Sequence, residues 1–225
     1  MLISTKMVQK QPVITYFFQE TQHHKPAVMV SACLLGEAVR YDGKDKRHNW
    51  ISYLANQLEL ISCCPEVGAG LGVPRPPVQL VQVGDQTHAL GRDNPELDVT
   101  PSLKTFAEQH SNSNNQLCGY LFKSRSPSCG LGSTPLFNQS GQQIGSANGI
   151  QANAFLQARP WLAYRQETDL LSQQACNNFI EHCKMVSEVL RCKPEEQSAL
   201  FAHYQREELS KNRLMQLASA WKDID

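Results

Sequence analysis

Three cysteines, Cys33, Cys64 and Cys129, stand where a thiol can do chemistry. Each follows a strand-like apolar run and lies at a turn rich in Gly, Pro or Ser. Cys33 follows Ala27-Val-Met-Val-Ser-Ala32, and Cys64 follows Glu59-Leu-Ile-Ser-Cys63. Cys129 lies in Lys123-Ser-Arg-Ser-Pro-Ser-Cys-Gly130, just after Leu117-Cys-Gly-Tyr-Leu-Phe122. A thiol held on such a turn at a strand end is open to a ligand. The three are far apart in sequence, so no Cys-x-x-Cys spacing applies. Without an obvious fourth ligand, three thiolates suit a zinc site with an open position. They equally suit an iron–sulfur cluster with one iron left free. The plain alternative is three small residues packed at strand ends.

The other five cysteines read as packing. Cys63 neighbours Cys64, and in a strand its side chain points the opposite way. Cys118 alternates within its own strand. Cys176 and Cys183 share one helix face, and Cys192 ends that helix without partners. With 8 cysteines and no secretory h-region, the chain is expected to be cytoplasmic, where thiols serve metals or catalysis better than disulfides. No apolar run is long enough to span a membrane. Lysine plus arginine equals aspartate plus glutamate at 21 each, so no global field draws the chain to nucleic acid.

The elements that must place these thiols follow from pattern. Runs 27–32, 59–63 and 117–122 read as strands buried on both faces of a parallel sheet. Val78–Val83 alternates as a further strand, and Gly84-Asp85 turns it into a short strand near His88. Helices are expected over 48–58, over 100–110 with Thr100 as N-cap and Pro101 at the first position, over 150–157, and from Thr168 onward. Pro194 to Lys222 reads as a last amphipathic helix or pair of helices. Gly132–Gly149 is a long loop, too long for an idle connection. Val13–Phe18 is a short β-prone stretch within a polar arm. The fold class is α/β: a Rossmann-like, three-layer parallel-sheet domain with a helical C-terminal extension. The division is an arm (1–26), the α/β domain (27–170) and a helical tail (171–225).

Taken jointly, Val30-Ser-Ala-Cys-Leu-Leu-Gly36, Arg40-Tyr-Asp-Gly43, Cys64-Pro-Glu66 with Pro74-Arg-Pro-Pro77, Leu121 to Gly130 and Gly145 to Gly149 resemble the thiouracil desulfidase family. The match runs in order from about Ala27 to about Glu181. The resemblance implies a [4Fe–4S] cluster held by Cys33, Cys64 and Cys129, with one iron lacking a protein ligand. It implies removal of sulfur from a thiolated uracil, free base or nucleoside, to give uracil and hydrogen sulfide without net redox change. Carried over by position, Glu66 is the acidic catalytic candidate, Asp42 a second, and Ser126 the serine, with Ser128 also permitted by spacing. Arg75, between prolines, either bonds loop carbonyls or orients a uracil oxygen. Arg40 joins it as a substrate-binding candidate, or pairs with Asp42 to fix the first loop. Three features depart from the family pattern: the longer arm, the longer tail, and the insertion-like Gly91-Arg-Asp-Asn-Pro-Glu-Leu97.

The chemistry suits these residues. A thiocarbonyl sulfur is soft, as is an open iron of a sulfide cluster, and coordination would make the ring carbon electrophilic. A carboxylate such as Glu66, if partly buried, would take the proton of the attacking water. Two other functions compete. One is a desulfidase or thiolation-related enzyme working on thiolated tRNA, with Lys44–His48 as the first phosphate contact. The other is a zinc-stabilised binding module without catalysis.

Overall fold

The computed structural model describes residues 25–113 and 115–203. The Val13–Phe18 stretch and residues 204–222 of the last helix lie outside the described residues.

Two sheets make up the domain. The first holds four parallel strands: β1 (Ala27–Ser31), β2 (Glu59–Cys63), β5 (Leu117–Phe122) and β8 (Ala163–Gln166), in the order β2-β1-β5-β8. The second holds β3 (Val78–Val83), β4 (Gln86–Gly91), β6 (Thr134–Phe137) and β7 (Gln143–Ala147), in the order β4-β3-β6-β7. Its hairpins β3–β4 and β6–β7 are antiparallel, while β3 and β6 run parallel. Between the strands lie α1 (Ile51–Ala55), α2 (Pro65–Gly68), α3 (Thr100–Ser113), α4 (Ile150–Ala158) and α5 (Gln173–Arg191).

β5 sits inside the first sheet, and all six of its residues are buried. That explains why it reads as a continuous apolar run rather than an alternating one. The main core forms around this sheet, with Val28, Val30, Leu54, Leu121, Phe155 and Phe179 fully shielded from water. α5 buries Cys176, Phe179, Ile180, Cys183 and Val186 in that core, so Cys176 and Cys183 are packing residues as their shared face indicates. A smaller core of Leu80, Ala89, Val99, Leu103 and Ile150 supports the second sheet.

The architecture is the expected mixed α/β domain with a helical C-terminal part, but several elements differ. The first helix spans only 51–55, not 48–58, and the helix expected from Thr168 starts at Gln173, after a 3-10 turn at Glu167–Asp169. The stretch Gly132–Gly149 is not a loop: it supplies β6 and β7. β7 is mostly exposed, so it carries none of the apolar alternation by which strands are recognised. At α3, Thr100 does not cap its own helix. Its hydroxyl accepts the Ala89 amide of β4 at 2.8 Å, and the Asp98 carboxylate accepts the Thr100 amide at 2.8 Å instead.

Close approach of β5, β8 and α5 requires Gly119. A Cβ there would stand 2.8 Å from the Ala163 carbonyl and 2.9 Å from the Cys183 sulfur. Gly119→Ala is therefore expected to destabilise the fold by about 1–3 kcal/mol, read as a lower urea midpoint with unchanged m-value. Cys183→Ala should restore part of that loss in the double variant.

Candidate active site

Parallel strands put their carboxyl ends on one side, and the three thiols gather there. Cys33 lies in a 3-10 turn, Ala32–Leu35, directly after β1. The turn closes through Gly36, whose φ of 97° favours glycine, and the Lys46 amide donates to the Cys33 carbonyl at 2.9 Å. Cys64 ends β2 and precedes α2, where Pro65 takes the first helical position and the Gly68 amide donates to the Cys64 carbonyl at 2.9 Å. β1 and β2 pair in register with Ser31 opposite Cys63, so these two turns are neighbours by construction.

Cys129 follows β5, on the other side of β1. Its turn is built by backbone-directed serines. Ser126 Oγ accepts the amides of Ser128 and Cys129, each at 3.2 Å, and the Ser126 carbonyl accepts the Gly130 amide and the Thr134 hydroxyl, each at 2.8 Å. Arg125 takes a φ of 59°, uncommon for a residue with a side chain. α4 locks the turn from behind. Its first amides lack intrahelical acceptors, and those of Ile150 and Gln151 donate to the Pro127 and Ser128 carbonyls at 3.0 and 2.9 Å. Gly149 allows this contact, since a Cβ there would stand 2.5–2.7 Å from the backbone of Ser128 and Cys129. The Ser31 hydroxyl accepts the Lys123 amide at 2.9 Å and faces the Cys129 thiol.

Cys33, Cys64 and Cys129 line a single cavity of about 530 Å³, with Glu66, Arg75, Ser126, Arg40 and Cys63 also in its wall. Burial pushes the Cys33 thiol up to about 11, against the pull of Arg40 and Lys123. Burial likewise raises Cys64, and Cys129 further still. As free side chains the three are therefore neutral thiols at pH 7, and a metal group must displace their protons.

Glu66 is the only carboxylate in the wall among the described residues. Arg75 grips one of its oxygens, with Nε and Nη2 donating to Oε2 at 2.8 and 2.6 Å. The Ser128 hydroxyl donates to the other, Oε1, at 3.0 Å. The remaining Arg75 nitrogen, Nη1, donates to the Val39 and Gly72 carbonyls at 2.9 and 3.1 Å. Arg75 thus bonds loop carbonyls, one of the two roles expected of it, and also holds an acid, which the sequence did not suggest.

The other candidates separate. Ser128 is fully buried, outside the cavity wall, and committed to Glu66. Arg40 lines the cavity, and its Nε donates to Asp42 at 3.3 Å. Asp42 also accepts the Lys44 amide at 3.2 Å and does not line the cavity. It therefore fixes the first loop and orients Arg40.

Of the other groups at the site, Glu167 has no place in the sequence reading, and Lys46, Arg92 and Arg125 enter it only as members of named stretches. Glu167, just past β8, binds the start of the Cys129 turn: Lys123 Nζ donates to it at 2.5 Å, the Ser124 hydroxyl at 2.6 Å and the Ser124 amide at 2.7 Å. Burial alone would raise its carboxyl, but Lys123 and Ser124 hold it below its ordinary value. Lys46, Arg92 and Arg125 add positive charge to the wall, and Lys46 and Arg125 have no ion-pair partner among the described residues. Arg92 comes from the insertion-like loop, which the Arg92 amide ties to the Pro77 carbonyl at 2.8 Å.

Among the described residues no three Cys, His, Asp or Glu side chains close on a common point. The three thiols stand around a cavity instead.

A parallel α/β sheet presenting three thiols, two buried and one half-buried, beside one clamped carboxylate at its carboxyl edge defines an α/β protein with a thiol-lined cavity. The chain belongs to the 2-thiouracil desulfurase family, whose model matches residues 28–167. It is 29% identical over 140 residues to the uncharacterised protein YbbK of Bacillus subtilis (strain 168), a match covering 58% of this chain and 90% of that one. A solved structure described as a [4Fe-4S]-dependent thiouracil desulfidase, TudS, is 33% identical, with a TM-score of 0.52 over 65% of this chain and 93% of its own.

The Glu66–Arg75 pair is nearly buried, with side-chain exposures of 12% and 6%. Arg75→Ala strands a buried carboxylate and is expected to cost about 3–5 kcal/mol, measured by urea unfolding. Arg75→Lys keeps the charge but loses the fork, and should fall between Arg75→Ala and the parent protein.

Proposed function

We propose that this protein is a [4Fe–4S]-dependent desulfidase that removes sulfur from a thiolated uracil by net hydrolysis. The observation that carries the reading is the cavity wall itself: three thiols, two of them buried, from three adjacent strand ends, in one wall with a clamped carboxylate. The overall change is C=S plus water to C=O plus hydrogen sulfide. A carbon–oxygen bond forms, the carbon–sulfur bond breaks, both water protons leave with sulfur, and no electrons are gained or lost.

Cys33, Cys64 and Cys129 would hold the cluster and leave one iron without a protein ligand. When bound, the cluster would supply a soft Lewis acid that polarises the thiocarbonyl. Glu66 accepts the proton of the attacking water. Arg75 and Ser128 fix its two oxygens, so the carboxylate needs no reorganisation to act. The two serines take separate roles. Ser128 donates its O–H to Glu66, whereas Ser126 accepts two amides and keeps its O–H to donate into the cavity, towards a ring carbonyl or the water. Arg75 has its donors committed to Glu66 and the loop, so it acts as a positioning residue. Arg40, held by Asp42, is the group left to meet the ring or its substituent.

The wall carries Arg40, Lys46, Arg75, Arg92, Lys123 and Arg125 against the single carboxylate of Glu66. Glu66, Glu167, Asp42 and Asp93 pair with Arg75, Lys123, Arg40 and Arg92, and Lys46 and Arg125 leave an excess of positive charge in the wall. A substrate carrying a phosphate group fits this charge better than the neutral base. All eight cysteines are free, which matches a reducing, cytoplasmic setting.

Anaerobic assays with free thiouracil, the thiolated nucleoside, its monophosphate and thiolated tRNA test the reading. Uracil-type product and sulfide should appear in equal amounts, with KM lowest for the monophosphate. Ser126→Ala should lower kcat by about 10²-fold or more, while Lys46→Ala should raise KM for the monophosphate and leave that for the free base unchanged. Turnover confined to tRNA would move the substrate to RNA. Absence of sulfide release from every substrate by cluster-loaded protein would reject the activity.

A further inference from the structure

Directly behind the Cys129 turn lies a group of buried polar atoms that the reaction outlined above does not use. Tyr120, on β5, is fully buried, with its ring stacked on Phe122 at 3.8 Å and edge-on to Phe155 at 5.1 Å. Gln151, in the first turn of α4, is 1% exposed. No hydrogen bond of ordinary geometry closes on the Tyr120 hydroxyl or on either end of the Gln151 carboxamide, although Gln151 and Cys63 both lie within bonding reach of that hydroxyl. Cys129 is close enough to act on the Tyr120 hydroxyl electrostatically. Cys63 is buried, yet it also lines the cavity beside the three candidate ligands.

Unpaired polar groups this deep are uncommon in native proteins, and a bound partner is one explanation. Here Tyr120 stands between the Gln151 carboxamide of α4 and the Cys63 thiol of the cavity wall. Their donor and acceptor types also fit a row. A carboxamide N–H can donate to the Tyr120 oxygen, the Tyr120 O–H to the Cys63 sulfur, and the Cys63 S–H, a weak donor, to an acceptor in the cavity. The last acceptor must come from the cavity's occupant or from Cys129 as a thiolate. Sulfur atoms of a cluster and its thiolates are such acceptors.

We propose that Gln151, Tyr120 and Cys63 form a hydrogen-bond relay that positions and tunes the iron–sulfur cluster, with Cys63 as the donor to cluster sulfur and not a ligand. The inference rests on the cluster reading above. The relay is rigid by construction. Tyr120 is fixed by aromatic packing, and the Gln151 amide is anchored to the Ser128 carbonyl at 2.9 Å, one residue before Cys129. Hydrogen bonds to sulfur raise the reduction potential of a cluster, and partners behind metal ligands typically contribute 10–100-fold to metal retention.

The test uses Tyr120→Phe, Cys63→Ala and Cys63→Ser in the full chain, reconstituted anaerobically beside the parent protein. Three quantities are read: the midpoint potential, the rate of iron loss to a ferrous chelator, and the thermal midpoint of the cluster-free protein. Tyr120→Phe and Cys63→Ala should each shift the potential to more negative values and speed iron loss by about tenfold or more. Cys63→Ser, which keeps a donor, should restore most of both. Cluster-free Tyr120→Phe should be at least as heat-stable as the parent, since it removes an unpaired hydroxyl and keeps the ring. A merely structural hydroxyl would give the opposite order. Potentials and iron-loss rates indistinguishable from the parent in both variants would overturn the relay and leave the desulfidase reading intact. A parent protein that takes up no cluster would overturn both.

Discussion

The site depends on the parallel pairing of β1 with β2 on one side and with β5 on the other. Parallel neighbours must all release the chain at the same edge. Three segments distant in sequence therefore turn side by side, and each turn presents one cysteine. The fourth strand, β8, obeys the same constraint and delivers Glu167 to the same edge, where it holds Lys123 and Ser124. Had any of these strands run antiparallel, its terminal residue would lie at the far end of the sheet.

Around that edge the structure resolves an electrostatic problem. Burial keeps the free thiols protonated, most strongly at Cys129. The same cavity holds several cations and one carboxylate. Cations favour thiolates and any anionic cluster they hold, while Glu66 must stay fixed among them. Arg75 and Ser128 fix it from both sides, and the second carboxylate, Glu167, is kept behind the Cys129 turn. Positive charge thus faces the cavity, and each acid near it is tied to a definite partner.

Much of this was legible in the chain. Val28–Val30 and Leu117–Phe122 read as buried strands because continuous apolar runs suit a sheet covered on both faces, and the Gly, Pro and Ser after them mark the turns. Cys33, Cys64 and Cys129 were expected together because each follows a strand, whereas the order β2-β1-β5 that makes their turns neighbours carried no sequence signal. What stayed hidden has physical causes. β7 has exposed faces and polar residues, so it carries no periodic signal. β8, Ala163-Tyr-Arg-Gln166, is too short for a pattern. Roles of individual serines depend on hydrogen-bond direction: Ser126 and Ser128 are two residues apart, yet one accepts backbone amides and the other donates to Glu66. Cys63 follows the rule of alternation in its strand and is buried, but the cavity reaches it from the side. Glu167 gave no local motif, because its partners lie more than forty residues away.

The most direct measurement is iron and acid-labile sulfide per chain in anaerobically prepared protein, compared with variants in which Cys33, Cys64 or Cys129 is replaced by alanine. The account predicts about four of each per parent chain, as a [4Fe–4S] cluster requires, and loss of both in every variant. Stoichiometric zinc without sulfide in the parent, or a full complement of iron and sulfide retained in Cys129→Ala, would contradict it.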